Sequence, residues 1–181
     1  MKVWKLKAVD EDYDNLRPIN GYTADELQAY DGRSHQEGWI PKKVERLEPE
    51  KNLKLGDALQ CMTIPTFSLR AVEKLFELIK NEVEILPLLC DEGNFSMINV
   101  TTVLDAIDYE KAKFKRFKSS NRIMCFDKFA FKEDVIASYN IFKIVDMPRS
   151  YVFVTDNFVS AVKKNRLKGF SFDLVWDSEA E

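Results

Sequence analysis

Residues 61–89 read CMTIPTFSLRAVEKLFELIKNEVEILPLL, and their patterning decides the fold. Cys61 to Pro65 predicts a short strand. Ser68 is placed to accept the free amides of a helix's first turn. Leu69, Val72, Leu75, Phe76 and Ile79 follow at three- and four-residue intervals, which line up on one helical face. Phe67 before the cap and Val72 after it occupy hydrophobic-staple positions. Val83 to Leu89 predicts a returning strand, and Asp91-Glu92-Gly93-Asn94 has the chemistry of a turn. The stretch is a strand–helix–strand unit.

Working outward, the same arrangement recurs near the C-terminus. Tyr151 to Val154 predicts a strand, Thr155 a second cap, and the spacing predicts a helix over 155–168. That helix gathers Lys163, Lys164, Arg166 and Lys168 near its end, where the dipole favours cations, and stops at Gly169. Phe170, Phe172, Leu174 and Trp176 then alternate with polar residues as a half-buried strand. The recurrence reads equally as an internal repeat or as a coincidence of common caps. Elsewhere, Val3 to Leu6 predicts a strand, Asp10 to Asp14 an acidic loop, and Thr23 with Glu26 a capping box. That box opens a short helix reaching about Tyr30, which Asp31-Gly32 ends. Residues 41–57, dense in charge and carrying two prolines, read as a solvated connector. Phe95–Val100 and Ile141–Ile144 predict strands. Residues 122–131, apolar on both faces, predict a central one. The expectation is an α+β fold: a mainly antiparallel or mixed sheet, two principal helices at about 68–80 and 155–168, and a short N-terminal helix, in one domain over 1–181.

At 181 residues, 45% hydrophobic, the chain can bury a core without metal or disulfide. A net charge of −3 argues against a general nucleic-acid binder. The N-terminal residues alternate charged and apolar side chains, unlike a signal peptide, and no apolar run is long enough to span a membrane. Cys61, Cys90 and Cys125 lie far apart beside apolar neighbours. They read as small buried hydrophobes in a reducing, cytoplasmic setting, and the absence of a CxxC pair excludes a thiolate metal site.

Catalytic motifs are sparse. His35 sits in a polar loop with no second histidine and no Gly-x-Ser-x-Gly elbow, and reads as a solvent-exposed loop residue. No phosphate-binding glycine loop occurs. Asp91 and Glu92 could form a carboxylate pair, the basis of a hydrolase reading, but adjacent turn residues diverge. Asn99-Val100-Thr101 matches a glycosylation acceptor, which has no meaning without secretion. Charge is unevenly spread: residues 61–109 hold 3 basic and 8 acidic groups, whereas 110–128 hold 7 and 2. Within the basic run, Lys111 to Lys118 interleaves Phe114 and Phe117 with cations, the composition of a nucleic-acid surface. The same pattern serves lysines guarding an exposed strand or hairpin edge. Residues alone thus lead to a non-enzymatic binding domain without a cofactor.

A further guide is resemblance. From about residue 30 to 177 several ordered blocks occur: Tyr30-Asp31-Gly32 with Trp39 and Pro41; Pro65-Thr66-Phe67-Ser68 with Arg70-Ala71-Val72; and Leu86 to Gly93. Asn99-Val100-Thr101, Leu104-Asp105-Ala106, Ala130-Phe131 and Ile141-Phe142-Lys143 follow. The last are Arg149-Ser150 with Phe153 to Asp156, and Gly169-Phe170 with Leu174 to Asp177. In these the chain resembles a family of bacterial immunity proteins from polymorphic toxin systems. The resemblance implies a cytoplasmic protein, not an enzyme, that binds and neutralises a cognate toxin encoded beside it, with no membrane contact. It supplies no catalytic motif and no cofactor. The polar positions in loops, Asp31, Asp91, Glu92 and Arg149, together with Trp39, are the candidate partner contacts. The alternative function is a nucleic-acid-binding accessory protein using residues 111–118.

Overall fold

The computed structural model describes residues 1–7 and 12–180. Among these the first elements are β1 (Lys2–Leu6), β2 (Leu16–Pro18), α1 (Ala24–Gln28), β3 (Lys43–Arg46), β4 (Ala58–Cys61) and β5 (Ile64–Ser68). Next come α2 (Leu69–Ile79), β6 (Val83–Pro87), β7 (Leu89–Cys90), β8 (Phe95–Val100) and β9 (Val103–Leu104). The chain continues through β10 (Lys113–Arg116), β11 (Ile123–Lys128), α3 (Glu133–Ile136), β12 (Ile141–Ile144), β13 (Phe153–Thr155), α4 (Asp156–Lys164) and β14 (Phe172–Asp177). The class is α+β, as expected, with both main sheets mixed.

One sheet has the order β6-β8-β5-β4-β2-β3-β7 and the other β14-β1-β13-β12-β9. In the first, β8 lies between the two strands joined by α2 and is antiparallel to both. In the second, β1 lies between the two strands joined by α4, again antiparallel to both: Val3 pairs with Thr155 on one side and Trp176 on the other. Each unit then adds one antiparallel strand, β4 or β12, and beyond it a parallel one, β2 or β9. The two strand–helix–strand segments therefore carry one topology twice. The chain's first strand fills in the second unit the place that β8 fills in the first.

The apolar faces of α2 and α4 meet in a shared core with Phe67, Leu75, Ile79, Ile98, Val154, Phe158 and Val162. The opposite face of the five-stranded sheet buries an aromatic cluster of Phe129, Phe131, Phe142, Phe153 and Trp176. The opposite face of the seven-stranded sheet buries Leu16, Val44, Leu59, Leu86, Leu88 and Met97. Leu88 alone separates β6, at one edge of that sheet, from β7 at the other. The two edges are thus held within about 7 Å along the chain, so the sheet curls toward closure, which shields edge groups.

Several expectations need correction. Cys61–Pro65 is not one strand: Cys61 pairs with Ile64 across a turn at Met62-Thr63, with Met62 left-handed at φ 63°. Residues 122–131 are not central. Among the described residues β11 pairs only with β10, and Phe129-Ala130-Phe131 leave the strand to fill the aromatic core, which is why that run is apolar. Residues 41–57 are more than a connector, since β3 lies inside the sheet with Val44 buried, a 3-10 turn follows at Pro49–Lys51, and Asp57 is 8% exposed. The inner face of α2 is Ala71, Leu75 and Ile79, while Leu69 and Phe76 face outward. α4 ends at Lys164, five residues before Gly169, because Arg166 turns left-handed. A register shift in the β1–β14 pairing leaves Leu174 exposed. Cys61 is buried, but Cys90 and Cys125 are only half-buried. In the acidic stretch 10–14, Asp10 and Glu11 lie outside the described residues, and Asp14 is buried and accepts the Asn15 and Glu48 amides.

Candidate partner-binding surface

Two of the five candidate residues, far apart in sequence, meet in space. Helix α1 is opened by the Thr23–Glu26 capping box and stops before buried Tyr30. Asp31 emerges beside Gly32, whose φ of +109° suits glycine. Asp31 accepts Arg33 Nε at 2.9 Å and Nη2 at 2.8 Å, and Arg149 Nη2 at 3.3 Å. The Arg33 guanidinium, with Arg149 adding to it against some burial, holds the Asp31 carboxyl down to about 2. With two arginines on one carboxylate, Asp31 is a clamp between loops rather than a free acidic contact.

Behind the clamp lies a polar layer that patterning did not single out. Lys143 is 7% exposed in β12, and its ammonium donates to the Tyr30 carbonyl at 2.6 Å. Burial pushes that lysine down to about 8, and Asp31 opposes the shift. Buried Asn99 donates to the Arg33 carbonyl and to Glu84 Oε2, both at 2.9 Å. Glu84 also accepts from the Ser34 hydroxyl and the His35 amide. Burial pushes Glu84 up, but those hydrogen bonds outweigh it and leave the group below the usual glutamate range. His35 is therefore no exposed loop residue: its ring rests 4.8 Å from Tyr30 and its Nε2 lies 3.0 Å from the Ala29 carbonyl. Tyr30, Asn99, Lys143, Arg149 and Tyr151 line a cavity of about 80 Å³, room for a few water molecules. The signals for this layer were Asn99, a polar position within the resemblance blocks, and a lysine inside the apolar run Ile141–Ile144.

Trp39, Asp91 and Glu92 form a second group, along the β3–β7 edge. Trp39 packs on the core of the seven-stranded sheet and donates Nε1 to the Pro87 carbonyl at 2.9 Å, so it caps that core from its loop. Its neighbour Ile40 is 80% exposed, and Leu89, on the adjoining β7, is 56% exposed. Glu92 pairs with Arg46 at 2.7 Å, whereas Asp91, 89% exposed, has among the described residues only Lys43 at 3.8 Å. Such exposed pairs contribute under about 1 kcal/mol each, so Asp91 is the freer carboxylate.

The basic run forms the β10–β11 hairpin outside both sheets. Its base is fastened by Phe114 against Phe126 and Phe126 against Phe129, with ring centroids 5.8 and 4.7 Å apart. Toward its tip Phe117, Lys118 and Arg122 are exposed. Among the described residues no helix is long and apolar enough to cross a membrane, and no group of three or more His, Cys, Asp or Glu side chains is gathered to hold a metal.

A comparison with curated proteins finds no match. Residues 91–177 match the model of an immunity protein family, Imm11. That segment runs from the turn at Asp91 through the basic hairpin to the end of β14, and includes Glu92 and Arg149 but neither Asp31 nor Trp39. Across residues 91–177, then, this chain is similar to the Imm11 immunity proteins.

Proposed function

We propose that the protein is an immunity protein that binds a cognate bacterial toxin stoichiometrically in the cytoplasm of the producing cell and neutralises it there. The single observation that carries this reading is the match of residues 91–177 to an immunity family. Residues 1–181 act as one immunity-type domain, without catalysis of their own. Asp31 and Arg149 serve this function by holding loops together. One direct contact is made by Asp91 and Glu92 with the apolar rim of Ile40 and Leu89 that Trp39 supports. The geometry supports this division: charge stands exposed beside apolar side chains on one edge, and is consumed internally at the other group.

The test is co-purification with the toxin encoded beside the gene, using variants shown by circular dichroism to stay folded. Asp91→Lys and Glu92→Lys are expected to slow association and alter its salt dependence, as rim charges do. Ile40→Asp is expected to weaken binding by roughly 2 kcal/mol, the cost of losing a buried anchor. Full protection of cells by all three variants would place the contact elsewhere. Hydrolysis of nucleic acid, peptidoglycan or NAD by the purified protein would overturn the non-enzymatic reading.

A further inference from the structure

The basic hairpin does more than present a guarded edge. Its tip stands over the loop that follows β12, and between them runs a groove of about 390 Å³ lined by Phe117, Arg122, Val145, Met147 and Arg149, with Asp146 at its wall. Phe117 is 45% and Val145 48% exposed, so the groove offers apolar surface to solvent, flanked by cations. Lys113, Lys118 and Arg122 make no ion pair among the described residues. Lys115 is bound to Asp127 at 3.1 Å and Arg149 to Asp31. Asp146 is also engaged, accepting the Tyr109 hydroxyl on both oxygens at 2.9 Å. Asp146 keeps its charge in that hydrogen bond, but Arg122 in the wall and Lys118 at the tip leave the groove's rim with an excess of cations, while residues 61–109 hold the chain's acidic excess.

We infer that this groove is a docking surface for an acidic, partly apolar segment of a protein partner, whose carboxylates meet Arg122 and Lys118 and whose apolar side chains lie against Phe117 and Val145. Complementary charge selects and orients such a segment, and an exposed aromatic beside unpaired cations is the composition of an interface core and rim. A protein segment fits better than a nucleic acid. Phe117, Ile123, Val145, Met147 and Pro148 give the groove an apolar wall that a segment with apolar side chains can cover, whereas its lining carries two cations, Arg122 and Arg149, among the described residues, too few to track a phosphate backbone. The inference rests on the immunity reading in one respect: it takes the toxin as the source of the segment.

Two measurements separate the two readings. In the first, the full chain is titrated with synthetic peptides of alternating Glu and Leu, and of alternating Lys and Leu. Chemical-shift changes at residues 117, 122 and 145–149 with the acidic peptide alone, weakened at least tenfold in Lys118→Glu/Arg122→Glu, are expected. No such changes, or equal changes with the basic peptide, overturn the proposal. In the second, the adjacent toxin is co-purified with wild type, with the double variant, with Phe117→Ser, and with Lys74→Glu as a charge control on α2. At least tenfold weaker retention by the double variant and by Phe117→Ser, but not by the control, is expected. Undiminished retention by those variants overturns the docking surface while leaving the immunity reading intact. Failure of wild type to hold the toxin sinks the immunity reading, and the peptide titration then decides the groove alone. Nanomolar, salt-sensitive RNA or DNA binding lost in the double variant overturns the proposal in favour of a nucleic-acid surface.

Discussion

Replacing Lys143 by Met should change how stability depends on pH, and the size of the change follows from the geometry. The ammonium is buried in β12 with the Tyr30 carbonyl as its hydrogen-bond partner, and burial pushes the group down to about 8 from an ordinary 10.5. At about 1.4 kcal/mol per pH unit, that difference is a penalty of roughly 3 kcal/mol on the folded state while the lysine is protonated. Between pH 8 and 10.5 the unfolded chain keeps a proton that the folded chain has released, so wild-type stability rises with pH across that window. Lys143→Met has no such group. Its stability relative to wild type should therefore fall by about 2–3 kcal/mol on going from pH 7 to pH 10. The thiol of Cys61, pushed up by burial to about 11, and the hydroxyl of Tyr30, pushed up likewise to about 12, act in the opposite sense at the alkaline end. They are common to both proteins and cancel in the difference. Urea denaturation of both proteins at pH 7, 8, 9 and 10 measures this. With a slope near 2 kcal/mol/M the midpoints should move relative to each other by about 1 M. A difference that stays constant over the whole range would refute the buried ammonium.

Three further expectations concern the framework. Asp57 accepts the Ser68 hydroxyl at 2.8 Å, Arg70 Nη1 at 2.7 Å and the Lys168 amide at 2.9 Å, tying β4 to the starts of α2 and β14's approach. Asp57→Ala should cost about 3 kcal/mol, seen as a Tm lowered by about 6–12 °C. The Thr155 hydroxyl is buried without a partner among the described residues, so Thr155→Val should stabilise by about 1 kcal/mol, and a loss in calorimetry would show the hydroxyl to be bonded. Gly169, at φ +81°, would set a new Cβ 2.5 Å from the Ala58 carbonyl oxygen, whereas Gly38, at φ +74°, has open space. Gly169→Ala should thus cost about 2–4 kcal/mol and Gly38→Ala about 1, and equal losses in urea titrations would contradict the packing at Gly169.

Local signals located much of the fold. Ser68 accepts the Ala71 amide and opens α2 as its spacing predicted, and the Thr23–Glu26 capping box opens α1. Phe95–Val100 and Ile141–Ile144 are strands with the predicted ends. These succeed because caps and periodicity act within a few residues. Thr155 shows the limit: it precedes α4 as expected, yet its hydroxyl caps nothing, and Asp156 accepts the Lys2 amide instead. That partner comes from β1 at the other end of the chain.

The sequence by itself therefore determined the α+β class, the two strand–helix–strand units and their helices, since each of these is written in spacings no longer than one element. Only the tertiary structure decided that the units share one topology, because the strand completing the second is the N-terminal Lys2–Leu6, paired with residues 153–155 and 172–177. It alone placed Arg149 on Asp31, put Lys143 under Tyr30, and set the basic hairpin outside both main sheets. Such pairings depend on which apolar faces find one another once the chain has closed on itself. Burial against distant partners, rather than any local preference, selects them.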